Sequence, residues 1–302
     1  MNVQTFLQHF INALSLGGIY ALIAIGYTMV YGILRLINFA HGDVFTYGIY
    51  FAFYAVVAFF FPWWMAFIFS IFVTALLGAA IERVAYRPLR NAPRISALIT
   101  AIGVSFFLEN FAIVAFGGRA KSFNPQTGIY PTTFLKMLRF GNIRVPLLTF
   151  LTLGVVALVL VVLLWIVYHT KVGMAMRAIS KDITATRLMG VNADRIVSFT
   201  FMIGSGLAAI GGILWAMKYP QIYPFTGMIP GLKAFIAAVV GGIGSIQGAM
   251  IGGFTLGVAE IMIVAFFPSW AGYKDAFAYA ILLVMLLFRP TGILGVEVPE
   301  KV

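Results

Sequence analysis

Few residues in this 302-residue chain can do chemistry: it has nine acids, three histidines and no cysteine. The densest polar group is Asn38-Phe39-Ala40-His41-Gly42-Asp43, a break between two apolar runs. An imidazole and a carboxylate this close can pass a proton, but no third group in the sequence nearby orients them for catalysis. Gly42 permits an unwound turn that presents carbonyls and a helix N-terminus to a ligand. The plainer alternative is an interfacial turn on the cytoplasmic side, with Asp43 capping the helix that follows. Glu109 and Glu260 each stand alone in apolar sequence. An acid within a membrane span faces a cavity, water or a partner, and pairing with arginine or with another subunit is the expectation for both. His9 and His169 fall at the ends of apolar runs, an interfacial position. Bond-making chemistry has no other footing. HExxH and GxSxG are absent, and Arg119-Ala120-Lys121-Ser122 lacks the glycine that a P-loop needs before its lysine. With no cysteine there is neither a disulfide nor a thiolate metal site, and no metal or cofactor is expected.

The elements that position these groups are apolar spans. Hydrophobic residues make up 62% of the chain, charged ones 10%, and the mean hydropathy is +1.01. Soluble domains run at roughly 45–50% apolar and 25% charged. A single all-α, polytopic membrane domain over 1–302 is the economical reading. The first span is expected at 10–31, and MNVQTFLQHF, without the basic residues of a cleaved signal, stays with it. Residues 44–81 are uncharged and too long for one span; Pro62-Trp63-Trp64 divides them at a hairpin tip. Further spans fall at 95–116, 146–168 and 196–217. The apolar stretch 231–267 is broken at Gly241-Gly242-Ile243-Gly244-Ser245, leaving a short or re-entrant segment before a full span, and 276–288 closes the set. That makes about eight transmembrane helices plus one short one.

Between 146–168 and 196–217 lies a polar island, about 171–195, held in water on a short tether. Asp182 can cap a two-turn helix there and Gly190 can end it. Ile183, Ala185, Leu188 and Met189 share one face, with Thr184 and Arg187 on the other. The island reads either as a helix offered to a soluble partner or as an amphipathic helix resting at the interface. Placing it in the cytoplasm with Arg83, Arg87, Arg90 and Arg94 puts twelve Lys and Arg on that side and eight outside, five of them in the long loop 117–145. That distribution suits the positive-inside rule and anionic lipid. It does not suit nucleic acid. Gly244, Gly248 and Gly252 repeat at four-residue spacing, which lets helix backbones approach closely in lipid.

Several of these motifs resemble one family. Thr184-Ala185-Thr186, then Gly190 after three residues, is similar to the decayed EAA–x3–G loop of ABC-transporter permeases. Gly17-Gly18-Ile19-Tyr20-Ala21-Leu22, Gly26, and Gly32-Ile33-Leu34-Arg35-Leu36-Ile37 running into the 38–43 break resemble the opening of LivH-type permeases of branched-chain amino-acid importers. Ile81-Glu82-Arg83, Tyr86-Arg87-Pro88-Leu89-Arg90, the 240–249 segment and Arg289-Pro290 extend the likeness along the chain.

The resemblance implies a transport subunit, not an enzyme, in a multi-pass inner-membrane complex. A second, LivM-like permease, two cytoplasmic ATPases and an external amino-acid-binding protein are implied with it. Asp182, Thr184, Ala185, Thr186, Arg187 and Gly190 would dock the ATPase. Asn38, His41, Gly42 and Asp43 are the candidate pathway or gate, and Gly244, Gly248 and Gly252 the candidate packing glycines. A urea or short-amide importer resembles the same motifs. A self-sufficient channel or carrier is the remaining alternative, but it leaves the island without a purpose.

Overall fold

A computed structural model describes residues 3–89, 92–141 and 143–295. Arg90 and Lys301, counted above among the charges of one face, lie outside the described residues. The chain folds into α1 (Val3–Leu34), α2 (His41–Val57), α3 (Trp63–Ile81), α4 (Arg94–Phe116), α5 (Leu147–His169), α6 (Lys171–Lys181), α7 (Ile183–Leu188), α8 (Ala193–Lys218), α9 (Met228–Gly241), α10 (Ile246–Phe266) and α11 (Lys274–Phe288). Among the described residues, four short strands lie in the loops. β1 (Lys121–Ser122) pairs antiparallel with β4 (Gln221–Ile222), and β2 (Met137–Phe140) forms a hairpin with β3 (Ile143–Pro146). The β1–β4 pair ties the 117–145 loop to the segment after α8.

Among the described residues, seven helical segments are long and apolar enough to cross a membrane. The eighth expected span, α2, has 17 residues, roughly 26 Å at 1.5 Å per residue, and falls short of a ~30 Å hydrocarbon core. It is nevertheless enclosed by protein along most of its length. The short segment expected before 246 is α9, with 14 residues. After α3 the helix widens into a π turn over Glu82–Tyr86.

Helices α1, α2, α8, α9 and α10 form the interior, and small residues set how closely they meet. A Cβ on Gly17 would come 2.8 Å from Phe254 Cα, and one on Gly253 or Gly257 would fall on the backbone of Ala21 or Gly17. Ala13, Gly17 and Ala21 thus make a groove along α1 that receives α10. Gly26 and Gly204 bring α1 against α8, and Gly48 lies against Ala209, with a built Cβ 2.7 Å from its Cα. Along these contacts α1 runs antiparallel to both α8 and α10. Gly248 and Gly252 press α10 onto Gly241 and Ala237 of α9. Gly244 does not serve packing: it sits in the turn between α9 and α10, nothing lies within 4 Å of a Cβ placed there, and its φ of +97° is what calls for glycine.

The order of elements repeats with opposed direction. In α1–α4 and again in α8–α11, a long span leads through an unwound stretch into a shortened helix and then a further span. The first helix of each half packs along the third helix of the other, α1 with α10 and α8 with α3. This is the arrangement of an inverted repeat, and no direct repeat in the sequence betrays it.

Candidate functional site

The unwound stretch Arg35–Ala40 leaves α1 with Arg35 at φ +56° and its guanidinium donating to the Ser180 carbonyl at 3.3 Å. It then enters the bundle. Asn38 is buried and its Oδ1 accepts the Tyr86 hydroxyl at 2.9 Å. The hydroxyls of Tyr47 and Tyr54 reach the carbonyls of Leu108 and Phe116 on α4, so α2 and α4 run in the same direction. Helix α2 begins opposite the middle of α4, where Ser105 Oγ donates to Asp43 Oδ2 at 2.5 Å. The 38–43 break is therefore not a turn at the cytoplasmic surface; His41 and Asp43 are 1% and 4% exposed. Nor does Asp43 cap the helix. The helix already starts at His41, Asp43 lies in its first turn, and its carboxylate goes to Ser105. An acid in that turn still complements the helix dipole.

His41 packs its ring on Tyr27 at 4.6 Å and against Gly26, and its Nε2 has no partner among the described residues.

Helix α9 starts beside the same point. Gly227 N–H donates to Thr46 Oγ1 at 2.8 Å, and a Cβ on Gly42 would stand 2.9 Å from the Gly227 carbonyl oxygen. One on Gly231 would stand 2.8 Å from Gly42 Cα. Three glycines thus let the starts of two shortened helices touch. Beside them lies a cavity of about 170 Å³ whose walls include Tyr27, Asp43, Ser105, Glu109 and Phe235. The two shortened helices thus begin at matching places in the two inverted halves.

The polar island holds two helices where one was expected. Thr170 caps α6, its Oγ1 accepting Gly173 N–H at 3.1 Å. Asp182 caps α7, accepting from Thr184 and Ala185 N–H at 2.8 and 3.0 Å. Gly190 follows α7 at φ +81°, the left-handed conformation that ends helices. Thr186 faces inward and its hydroxyl returns to the Asp182 carbonyl at 2.6 Å. Leu188 and Met189 stand 85% and 84% exposed at the tip. Arg187 reaches Asp194 at 3.4 Å, and Asp194 also pairs with Arg87 beyond α3. The island and the arginine segment after α3 therefore share one face. Such exposed pairs add little stability but fix α7 relative to its neighbours.

Sequence reasoning misplaced Lys233. One of the eight cations assigned to the outer side, it lies inside α9, 2% exposed, with Nζ 2.8 Å from Glu260 Oε1 and 2.6 Å from Asp275 Oδ1. Tyr20 donates to the other oxygen of Glu260 at 2.8 Å. Glu260 pairs with a lysine of its own chain, where arginine or another subunit was the expectation. Just outside the span, burial and the negative Glu260 push the Tyr219 hydroxyl up to about 12, so it stays protonated. Ser105, Tyr86 and Thr46 were also missed. Their roles depend on partners 48 to 181 positions away.

Residues 9–286 match the family described as branched-chain amino acid transport system / permease component. The chain is 44% identical to the high-affinity branched-chain amino acid transport system permease protein BraD of Pseudomonas aeruginosa, over 99% of each. Identity to LivH of Escherichia coli K12 is 42% over 98% of each. A probable branched-chain amino acid transport permease protein LivH of Methanocaldococcus jannaschii is 28% identical over 94% of this chain and 91% of that protein. Among solved structures, PsaBC from Streptococcus pneumoniae in complex with Fab shares the fold, with a TM-score of 0.50 at 17% identity over 95% of this chain and 92% of that one. With the family match spanning nearly all of its helices, the chain belongs to the permease components of branched-chain amino acid transport systems and is a multi-pass membrane protein.

Proposed function

We propose that this chain carries branched-chain or other neutral amino acids across the inner membrane as one of two permeases, the second LivM-like, in an ATP-driven importer. An external binding protein delivers the substrate to the face bearing the 117–145 loop. Two separate ATPase subunits dock on the opposite, cytoplasmic face, since this chain has no P-loop. The observation that carries the reading is α7. Asp182 and Gly190 define its two ends, and Leu188 and Met189 project bare into water, a cost that a docking partner removes.

Motion of the ATPases reaches the candidate pathway through a chain of side-chain contacts. Helix α7 joins Asp194 and Arg87. Next to Arg87, Tyr86 holds Asn38 in the unwound stretch ahead of α2, and about one turn earlier the buried Glu82 accepts from Ser198 at 2.5 Å. Alternating access then consists of tilting these elements about the α2–α9 contact.

The reading is tested by uptake into proteoliposomes holding the whole complex. Labelled leucine should accumulate only with the binding protein and ATP. Accumulation of urea in its place, or leucine flux without ATP, overturns it. A second test addresses α7. Valine at position 190 faces roughly 1–2 kcal/mol of left-handed strain and places bulk on the docking surface. Gly190→Val should leave the permease folded, with the ATPase failing to co-purify and substrate-stimulated ATP hydrolysis lost. Wild-type levels of both in that variant exclude α7 as the coupling element.

A further inference from the structure

We propose that the cavity where α2 and α9 begin is a recognition site for a primary ammonium group on a short apolar chain, held by Asp43 and Glu109. The inference rests on the amino-acid transport reading and adds which part of the substrate this chain grips. Ser105 and Glu109 lie four residues apart on α4, so they share a face, and that face meets Asp43 across the cavity. No Lys, Arg or His lines the cavity, and neither acid has an ion-pair partner among the described residues. Glu260 shows the contrast: the same residue type, also in a span, is matched at 2.8 Å by Lys233. Two carboxylates left without a fixed cation in the membrane interior are costly. A mobile cation relieves that cost each time it occupies the cavity.

The rest of the wall selects the kind of cation. Tyr27, Phe39, Phe106 and Phe235 offer aromatic faces, which attract ammonium groups and accept an alkyl chain. Calcium and magnesium need six or more oxygen ligands, water included, zinc four ligands, and no cluster of three potential ligands of the His, Cys, Asp or Glu type occurs among the described residues. Phe106 is 61% exposed on the open side of the cavity. That opening faces either the second permease or water, because lipid would not tolerate Glu109 beside it.

The native chain has no cysteine, so Phe106→Cys gives a single reporter on it in the assembled complex. Aminoethyl methanethiosulfonate, a cation, should label it roughly tenfold faster than the anionic sulfonatoethyl reagent, the low end of electrostatic focusing in a cleft. Glu109→Gln should bring the two rates close together, and Glu109→Asp should restore the difference. Isoamylamine should slow labelling and isocaproate should not. Equal rates for the two reagents, a preference untouched by Glu109→Gln, or protection by isocaproate overturns the proposal. Should Glu109→Gln fail to assemble, the two protectants applied to Phe106→Cys alone decide. Failure of the transport reading is distinguishable: leucine uptake is then absent from the complex while the preference for the cationic reagent persists.

Discussion

Lys233→Met is expected to destabilise the permease by about 3–5 kcal/mol, the usual consequence of removing one partner from a buried ion pair. The lysine stands between Glu260 and Asp275 and over the Tyr20 ring, 5.9 Å from its centroid. With methionine there, Glu260 keeps only the Tyr20 hydroxyl and Lys274 at 3.5 Å, the latter 43% exposed. Helices α1, α9, α10 and α11 meet at this cluster, so their packing should loosen together. The measurement is the thermal midpoint and monodispersity of the complex in detergent. Adding Glu260→Gln should recover much of the loss, because a neutral amide still accepts from Tyr20 and removes the more deeply buried of the two charges left behind. A single variant as stable as the parent, or a double variant no better than the single, contradicts this account.

A comparable loss awaits Gly253→Leu, for a reason unrelated to charge. In lipid, helices associate through backbone contact, and a side chain at 253 enters the backbone of α1 at Ala21. Neither helix can yield, since α1 is also held by α8 through Gly26 and Gly204. The complex should fail to assemble. Gly244→Ala is the informative control. It meets no atom within 4 Å and suffers only from its φ of +97°, a cost of roughly 1–2 kcal/mol. Assembly of the Gly244→Ala chain at near-normal yield, with none for Gly253→Leu, separates the two uses of glycine. Equal yields from both would show that close approach at α1 and α10 is dispensable.

These glycines show what the sequence makes legible. Spacing by four marks Gly248, Gly252, Gly253 and Gly257 as candidates for close contact, and geometry places each against a backbone. The same spacing includes Gly244 by coincidence, because period alone does not reveal where α10 begins. Span positions were easier. Uncharged runs at 146–168 and 196–217 lie within a few residues of α5 and α8, since charge is what a span excludes. The depth of the 38–43 break was not legible. Polar residues there suggested water, yet each finds its place through a distant residue: Tyr86 for Asn38, Ser105 for Asp43. Lys233 misled for the same reason. A lone lysine beside apolar sequence looks like a loop end unless its acid, 27 residues on, is known to lie beside it.

Helix α1 carries a consequence for how the protein is made. Its stretch 13–30 is almost entirely enclosed by other helices in the finished fold, yet the ribosome delivers it well before two of the helices that enclose it. Its neighbours α8 and α10 follow only after Ala193 and Ile246. At roughly 5–20 residues per second the wait for α8 is on the order of 10–30 s. Throughout that interval the groove of Ala13, Gly17 and Ala21 faces lipid or whatever helix drifts past. The absence of any charged residue in α1 lets it enter the bilayer unaided and remain there. Biosynthesis therefore parks the future centre of the molecule with its α8 and α10 faces bare, α5 alone of its large neighbours arriving earlier, and the later half must find it by lateral diffusion and close around it.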